Sequence, residues 1–526
     1  MKTMNPNILL LCHLFLLVYA LPMPAMAQQE TAWYGLPLPP AFEAHTVPAI
    51  IGSRGPAPAV VPAGEEHYSE LNGSRLQEDL RQIVAFSRDS RIQQELGGSQ
   101  LWGRVSGFPS AAATTAWAAE QFRAAGIEEV QVQRFAQDEQ AVLWLPERWE
   151  VRLLASTLAG PDSEDVVLST AVALPPSEIP GGMLEAPLVY VGTGSPAELY
   201  HIDVAGKIAV QQIIPQAHLV FEREHAVSTA QSLMANGAVA VLNLITQPGN
   251  EMARDLANCD GPCFNIGGRD GVFLGKVLDA AAQRGHLGQI QARLSLQTRE
   301  HSQLQGENAI AVIPGTGTET IVINAHTDAW YDGAGDNGDG LAVLMAMARH
   351  FARPEISLKR NLVLIASAGH HTTGLNGPRN AVRMNPEIFA NSVLIFNLEH
   401  VAQRNFSPAR SLLPDGYREF VADSGEAPIV AGISNSSPLL NSLFDAGVQR
   451  YGTNFVSGPS TMASGEGGGY RSAGVPIVTT MQAPPLYHTS GEVLEVISTP
   501  GLERMARFMA FFIKEVDLAS VSLIDP

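Results

Sequence analysis

The chain is poor in cysteine, with three in 526 residues. Cys12 lies in the N-terminal apolar stretch, which leaves Cys259 and Cys263 for the rest. Two cysteines cannot staple a scaffold of this size. A zinc site on these sulfurs would need two more ligands, and none is near in sequence. Cys-Asp-Gly-Pro-Cys therefore reads as a local disulfide in an exported protein. Charge is also scarce, at 16% of residues, and basic side chains are outnumbered 33 to 52, for a net charge of −19. Such a surface repels phosphates and argues against a nucleic-acid partner. No Gly-x-Ser-x-Gly elbow follows a candidate strand, which argues against a serine nucleophile. No short internal repeat stands out.

What is present suits a large globular protein. Hydrophobic residues make up 45%, and the length fits roughly two to four domains. Residues 1–27 read as a signal peptide: Lys2 is the positive start, Ile8 to Leu21 the apolar region, and Ala25-Met-Ala27 the cleavage signal. The apolar run is short, carries His13 and ends in prolines, so it reads as a leader rather than an anchor. The expected product is secreted or periplasmic, with no stable membrane span after removal of the leader. Oligomeric state is not legible.

Residues 28–67 are rich in Pro, Ala and Gly and lack periodicity, so they read as an arm or linker. Leu76, Leu80, Ile83 and Val84 then fall on one face of a helix. Trp117 to Gly126 reads as a second helix, and Val130 to Phe135 as a strand. Between about 155 and 300 short apolar runs alternate with turn residues. The strands expected there are 187–192, 206–210 and 238–243, with a helix over 226–237. From about 305 strands alternate with helices again: 309–313, 320–326, 361–368, 392–399 and 475–481. This pattern predicts an α/β protein with a mixed, mostly parallel sheet and helices on both faces. The expected division is 68–154 and 304–526 for the two segments of the main domain, with 155–303 inserted.

The stretch His326-Thr-Asp328-Ala-Trp-Tyr-Asp-Gly-Ala-Gly-Asp336 lies where a predicted strand hands over to a predicted helix. Open α/β sheets place their sites at such crossings. An imidazole and a carboxylate brought together there can hold a divalent metal. Asp328, two residues on, can fix the imidazole's tautomer. Asp332 and Asp339 are expected to be solvated. Glu399 ends an apolar strand, where an unpartnered carboxylate is costly and a metal would partner it. His400, one residue on in a strand, would point to the opposite face. His488 follows the last predicted strand. Glu466, in a glycine-rich run, reads equally as a group behind the site or as a loop acid.

These motifs resemble a family. His326-x-Asp328, Gly333-Ala-x-Asp336-Asn, Asn397-Leu-Glu399, Gly474-Val-Pro476 and Tyr487-His-Thr are similar to the co-catalytic zinc exopeptidases of the aminopeptidase Y and plasma glutamate carboxypeptidase kind. Arg104-Val-Ser-Gly-Phe-Pro109 and the helix after it resemble that family's opening segment. The insert resembles a protease-associated domain, in the runs from Gly206, Ala235 and Asp270. The resemblance implies two zinc ions, one held by His326, Asp336 and Glu399 and the other by Asp336, His488 and a further ligand. It also implies a peptide or small aminoacyl substrate, hydrolysed by metal-activated water with a glutamate as base.

One motif departs from the family. Two consecutive glutamates are expected after the strand at 361–368, and the sequence there is Gly369-His-His-Thr-Thr-Gly-Leu-Asn-Gly377. If the glycines Gly374 and Gly377 set the register, the register the turn favours, His371 takes the base position and Thr372 the ligand position. If Gly369 sets it, His370 takes the base position and His371 the ligand position. A histidine can act as base near neutrality. The expectation is a metallo-exopeptidase with an altered base; the alternative is an impaired or inactive binding protein on the same fold.

Overall fold

A computed structural model describes residues 31–44, 50–51, 55–214, 223–254, 258–409, 418–460, 465–482 and 485–526. The expected signal peptide lies outside the described residues. Eight strands form the main sheet. In chain order they are β1 (Glu129–Ala136), β2 (Gln305–Ile313), β3 (Thr320–His326), β4 (Asn361–Ser367), β5 (Ser392–Asn397), β6 (Ile429–Ile433), β7 (Phe455–Pro459) and β8 (Ile477–Met481). Their order across the sheet is β7-β6-β8-β5-β3-β4-β2-β1. The central strands β4, β3, β5 and β8 run parallel, and β2 and β6 join them antiparallel.

The central strands are buried on both faces, which is why they read as continuous apolar runs rather than alternating ones. Ile321 and Ile323 of β3 face a core built with the helices Gly73–Gln93, Asp339–Phe351 and Thr499–Leu518; Val322 faces a second core with Ala381, Phe389 and Tyr470. The first helix follows from its sequence. Asn72 caps it through Oδ1, which accepts from the Ser74 N–H at 3.0 Å, and Gln94 ends it in the left-handed region. Leu76, Leu80, Ile83 and Val84 are fully buried. Each such side chain contributes roughly 1.5–3 kcal/mol over exposure.

A second eight-stranded sheet holds Leu143–Leu153, Gln291–His301, Met183–Tyr190, Ile208–Ile213, Ala240–Ile245 and Cys263–Ile266, with short strands at each edge. Leu143–Leu153 pairs along its length with Gln291–His301. This second sheet therefore begins at Leu143, ahead of residue 155. Cys259 and Cys263 are disulfide-bonded. Trp102, Trp330 and Tyr331 belong to the core beneath this sheet, so the loop after β3 is packed against the second sheet.

The aperiodic arm is docked where it is described. Trp33 is buried and donates from Nε1 to the Glu164 carbonyl at 2.9 Å, and Ile50–Ile51 pairs in parallel with Phe420–Val421. Its lack of periodicity reflects an extended path across two surfaces.

Candidate metal centre

The site forms at the C-terminal ends of the parallel strands. His326 is the last residue of β3, and its side chain is fully buried. Its Nδ1 lies 3.0 Å from the backbone carbonyl of Asp328 and 3.6 Å from that residue's Oδ1. The carbonyl is therefore the nearer partner that fixes the ring. The Asp328 carboxylate acts elsewhere, accepting from the backbone N–H groups of His370 at 3.3 Å and His371 at 3.0 Å. It thus ties the turn after β4 to the end of β3.

Asp336 sits in a tight turn at which Gly333 adopts φ +53°, where a Cβ would overlap Ala329 and the Asp336 carbonyl. The Asp336–Asn337 peptide is cis. Arg104, fully buried, holds this loop by donating to the carbonyls of Thr327, Asp332 and Gly333. Burial lowers the Arg104 pKa to about 10, against the pull of Asp336 and Asp328.

Four imidazoles meet the Asp336 carboxylate. His326 Nε2 lies 3.1 Å and His400 Nε2 3.4 Å from Oδ1; His488 Nε2 lies 2.8 Å and His371 Nε2 3.1 Å from Oδ2. Glu399 stands beside them. Its Oε1 accepts from Asn397 Nδ2 at 2.9 Å and from the Glu466 N–H at 2.8 Å. Behind Asn397 the chain of hydrogen bonds continues through Asn324 to the Tyr470 hydroxyl. Gly465 adopts φ +55°, and a Cβ there would overlap Glu399 Oε2. Only glycine lets this loop approach so closely.

His370 and His371 have separate environments. His370 Nδ1 lies 3.3 Å from Glu466 Oε1, and 21% of its side chain is exposed. His370 joins His326 and Glu399, with one potential ligand atom from each within 4.8 Å of the others; His371 joins His326 and Asp336 in the same way. Thr372 is buried and donates its hydroxyl to the Ser106 carbonyl at 2.8 Å. The turn's own glycines favour a register with Thr372 at the ligand position. The geometry puts His371 beside Asp336 instead, because the Asp328 carboxylate pins the two histidine N–H groups.

Two other expectations are corrected. Asp332 and Asp339 are buried rather than solvated. Asp332 pairs with Arg88 at 2.8 Å and accepts from Trp102 Nε1, while Asp339 Oδ2 accepts from the N–H groups of Val401 and Ala402. His400 does not point away from the Glu399 side. β5 ends at Asn397, so strand alternation no longer applies, and φ +49° at His400 turns its ring toward Asp336. A histidine directly after a strand-terminal carboxylate was the available signal.

The electrostatics favour cations. Burial alone would neutralise Asp336, but His371, His400 and His326 hold its carboxyl well below the usual range. Burial lowers His326 too, and the carboxylates of Asp328 and Asp336 outweigh it and raise that imidazole. His371 is lowered to about 4, chiefly by burial, so its ring is neutral and able to ligate at neutral pH. Burial and His326 lower His370, and Glu466 and Glu399 raise it to about 9. His326 Nε2, Asp336 Oδ1, Glu399 Oε2 and His371 Nε2 are buried without a hydrogen-bond partner. Orphaned nitrogen and carboxylate atoms converging this way could serve as the donor set of a divalent cation such as zinc.

Residues 308–513 match the model of Peptidase family M28. This segment carries every candidate ligand named above. No curated protein matches the chain. Among solved structures, an M28 peptidase precursor from Shewanella amazonensis SB2B is similar at 17% identity and TM-score 0.59, covering 85% of this chain and 98% of that one. BSAP, a zinc aminopeptidase from Bacillus subtilis, is similar at 18% identity and TM-score 0.55, covering 86% and 98%. An aminopeptidase from Aneurinibacillus sp. strain AM-1 gives 18% and 0.52, covering 85% and 94%. At these identities the likeness is one of fold. It extends well beyond the M28 segment, over most of the chain.

The segment 247–254 reaches this centre. The Arg254 N–H donates to the His488 carbonyl at 3.0 Å, and the Ser490 N–H to the Met252 carbonyl at 2.9 Å. The Met252 N–H returns to Ser490 Oγ at 2.9 Å, and Gln247 Nε2 donates to the Pro485 carbonyl. The Arg254 guanidinium stacks 3.7 Å over Trp330, whose ring neighbours His371. Among the described residues no helix is long and apolar enough to cross a membrane.

Proposed function

We propose that this protein is an exported zinc exopeptidase of the aminopeptidase Y kind, with a protease-associated insert and a histidine in place of the usual glutamate base. The observation that carries this reading is the convergence of buried, partnerless atoms of His326, Asp336, Glu399 and His371 beside His488. His326, Asp336 and Glu399 would hold one ion; Asp336, His371 and His488 would hold a second. When bound, the ions supply Lewis acidity to polarise a peptide carbonyl and acidify water.

The chain's own residues do the rest. Asp328 orients the His370-His371 turn. His370 in its neutral form takes the proton of the attacking water at Nε2, since Nδ1 is engaged by Glu466. Against burial, Glu466 and Glu399 raise its pKa to about 9, and a cation bound beside it would bring the neutral form back toward neutral pH. Glu466 stabilises the imidazolium that forms, so a His–Glu pair does the work of a single glutamate. The insert supports the loop that carries His488 and narrows access to a free peptide end.

A second reading has one specific support. A potential ligand atom of His370 lies within reach of those of His326 and Glu399. If His370 ligates, no base remains and the protein is a binding protein on a peptidase fold. The purified chain decides between these readings. The first expects zinc by elemental analysis and chelator-sensitive cleavage of aminoacyl substrates. Stoichiometric zinc with no turnover of any aminoacyl or dipeptide substrate would sink it.

A further inference from the structure

His400 is the one imidazole at Asp336 to which the ligand sets above give no role. It is buried, and it holds a left-handed backbone conformation at φ +49°. For a residue with a Cβ this conformation is unfavourable and persists only where the surroundings enforce it. They do so here from three directions. Asn337 donates to the Leu398 carbonyl at 2.7 Å and accepts from the His400 N–H at 3.3 Å. Asp339 captures the next two N–H groups, those of Val401 and Ala402. Gln403 Nε2 lies 3.3 Å from His400 Nδ1 and donates to Glu492 Oε1 at 3.2 Å.

The last contact sets the tautomer. Glu492 is buried, and the amide nitrogen of Gln403 is what faces it. The same amide nitrogen lies 3.3 Å from His400 Nδ1, an arrangement that suits Nδ1 as the acceptor. The ring proton of His400 is left on Nε2, 3.4 Å from Asp336 Oδ1. A donor aimed at a carboxylate that two ions would share is an orienting group rather than a ligand.

Resting on the metal-centre reading, we propose that His400 is a positioning residue for the shared carboxylate: its Nε2 faces Asp336 Oδ1 at 3.4 Å, and its ring is itself held by Gln403 and, through it, Glu492. It supplies from a strand end some of the rigidity that a His-His turn, lacking a carboxylate ligand, does not.

The test titrates Zn²⁺, and Co²⁺ as a spectroscopic probe, into the chelator-stripped full chain. His400→Ala is expected to weaken metal binding roughly 10–100-fold, as loss of such partners does elsewhere, with unchanged stoichiometry. His400→Gln, whose amide can still donate, is expected to recover part of that affinity. Gln403→Ala, which removes the partner of Nδ1 without touching the ring, is expected to weaken binding less than His400→Ala and serves if the alanine variant does not fold. Wild-type affinity in both His400→Ala and Gln403→Ala would overturn the proposal. So would loss of one equivalent of metal, or a changed Co²⁺ coordination spectrum, in His400→Ala, since either marks a ligand. If the wild-type chain itself binds no Zn²⁺, or His326→Ala binds it normally, the metal-centre reading has failed, and that result is distinct from either His400 outcome.

Discussion

On one side of Asp336 stand His326 and Glu399, carried at or just past the ends of paired strands of the main sheet. On the other stand His371 and His488, carried by loops. The first side is held by the sheet ladder, by Asn397 and by the loop at Gly465. The second is held by contacts from elsewhere: Asp328 grips the His371 turn, and Met252 and Arg254 grip the His488 loop. The lesson is one of rigidity. Ligands at the ends of a buried sheet are placed by the fold, whereas ligands on loops are only as fixed as the hydrogen bonds that tether them.

The comparison breaks completely if the shared carboxylate is lost. Asp336→Ala is expected to reduce zinc content to near zero by elemental analysis, since both sides depend on it; retention of one full equivalent would show that the sides are independent. A smaller loss should separate them. His326→Ala is expected to weaken zinc binding by more than the roughly 10–100-fold typical of outer partners, and by more than His488→Ala does. The reverse order in a chelator competition would mean that the loop side dominates.

His370 sharpens the comparison chemically. His370→Ala is expected to lower kcat roughly 10²–10⁴-fold while zinc content is unchanged. His370→Glu is expected to recover part of that rate. Zinc lost along with activity would make His370 a ligand of the strand-end side.

The loop side should also depend on the segment that carries Met252 and Arg254. Asp270 accepts from the Thr170 N–H and hydroxyl and accepts weakly from Asn250, in the loop that leads to Met252 and Arg254. Burial pushes its carboxyl up to about 6 from 3.8, against those hydrogen bonds. The folded chain then holds a proton that the unfolded chain releases. Stability from this group is full below pH 3.8, falls as pH rises to about 6, and is flat above that. The whole change is at most about 3 kcal/mol, and Asp270→Asn is expected to flatten that slope in denaturant melts. The smallest effect is expected from Ser490→Ala, which removes the partner of the Met252 N–H. It should cost about 1 kcal/mol and weaken zinc binding only modestly, and a loss equal to that of His488→Ala would mean that this single tether carries the loop.

Much of the strand-end side was legible in the sequence. The run Ile321 to His326 reads as a buried strand and is one, and Glu399 stands out because a carboxylate there needs a partner. The pairing of the second sheet was less legible. Leu143–Leu153 has the texture of its neighbours, and only its long-range pairing with Gln291–His301 assigns it. The register of His370-His371-Thr372 was not legible either. The glycines of the turn point to one register, whereas His371, its N–H held by the Asp328 carboxylate, lies beside Asp336. The same holds for His400, whose direction depends on where β5 stops.

By itself the sequence determined the α/β architecture, the strand-end positions of His326 and Glu399, and the absence of a glutamate pair after β4. These follow from apolar periodicity and from residue identity, which are local. That His371 and His400 join His326 and His488 at Asp336 is settled only in three dimensions. That choice rests on hydrogen bonds between segments far apart in the chain, from Asp328 to the His370-His371 turn and from Gln403 to His400, and no local pattern encodes them.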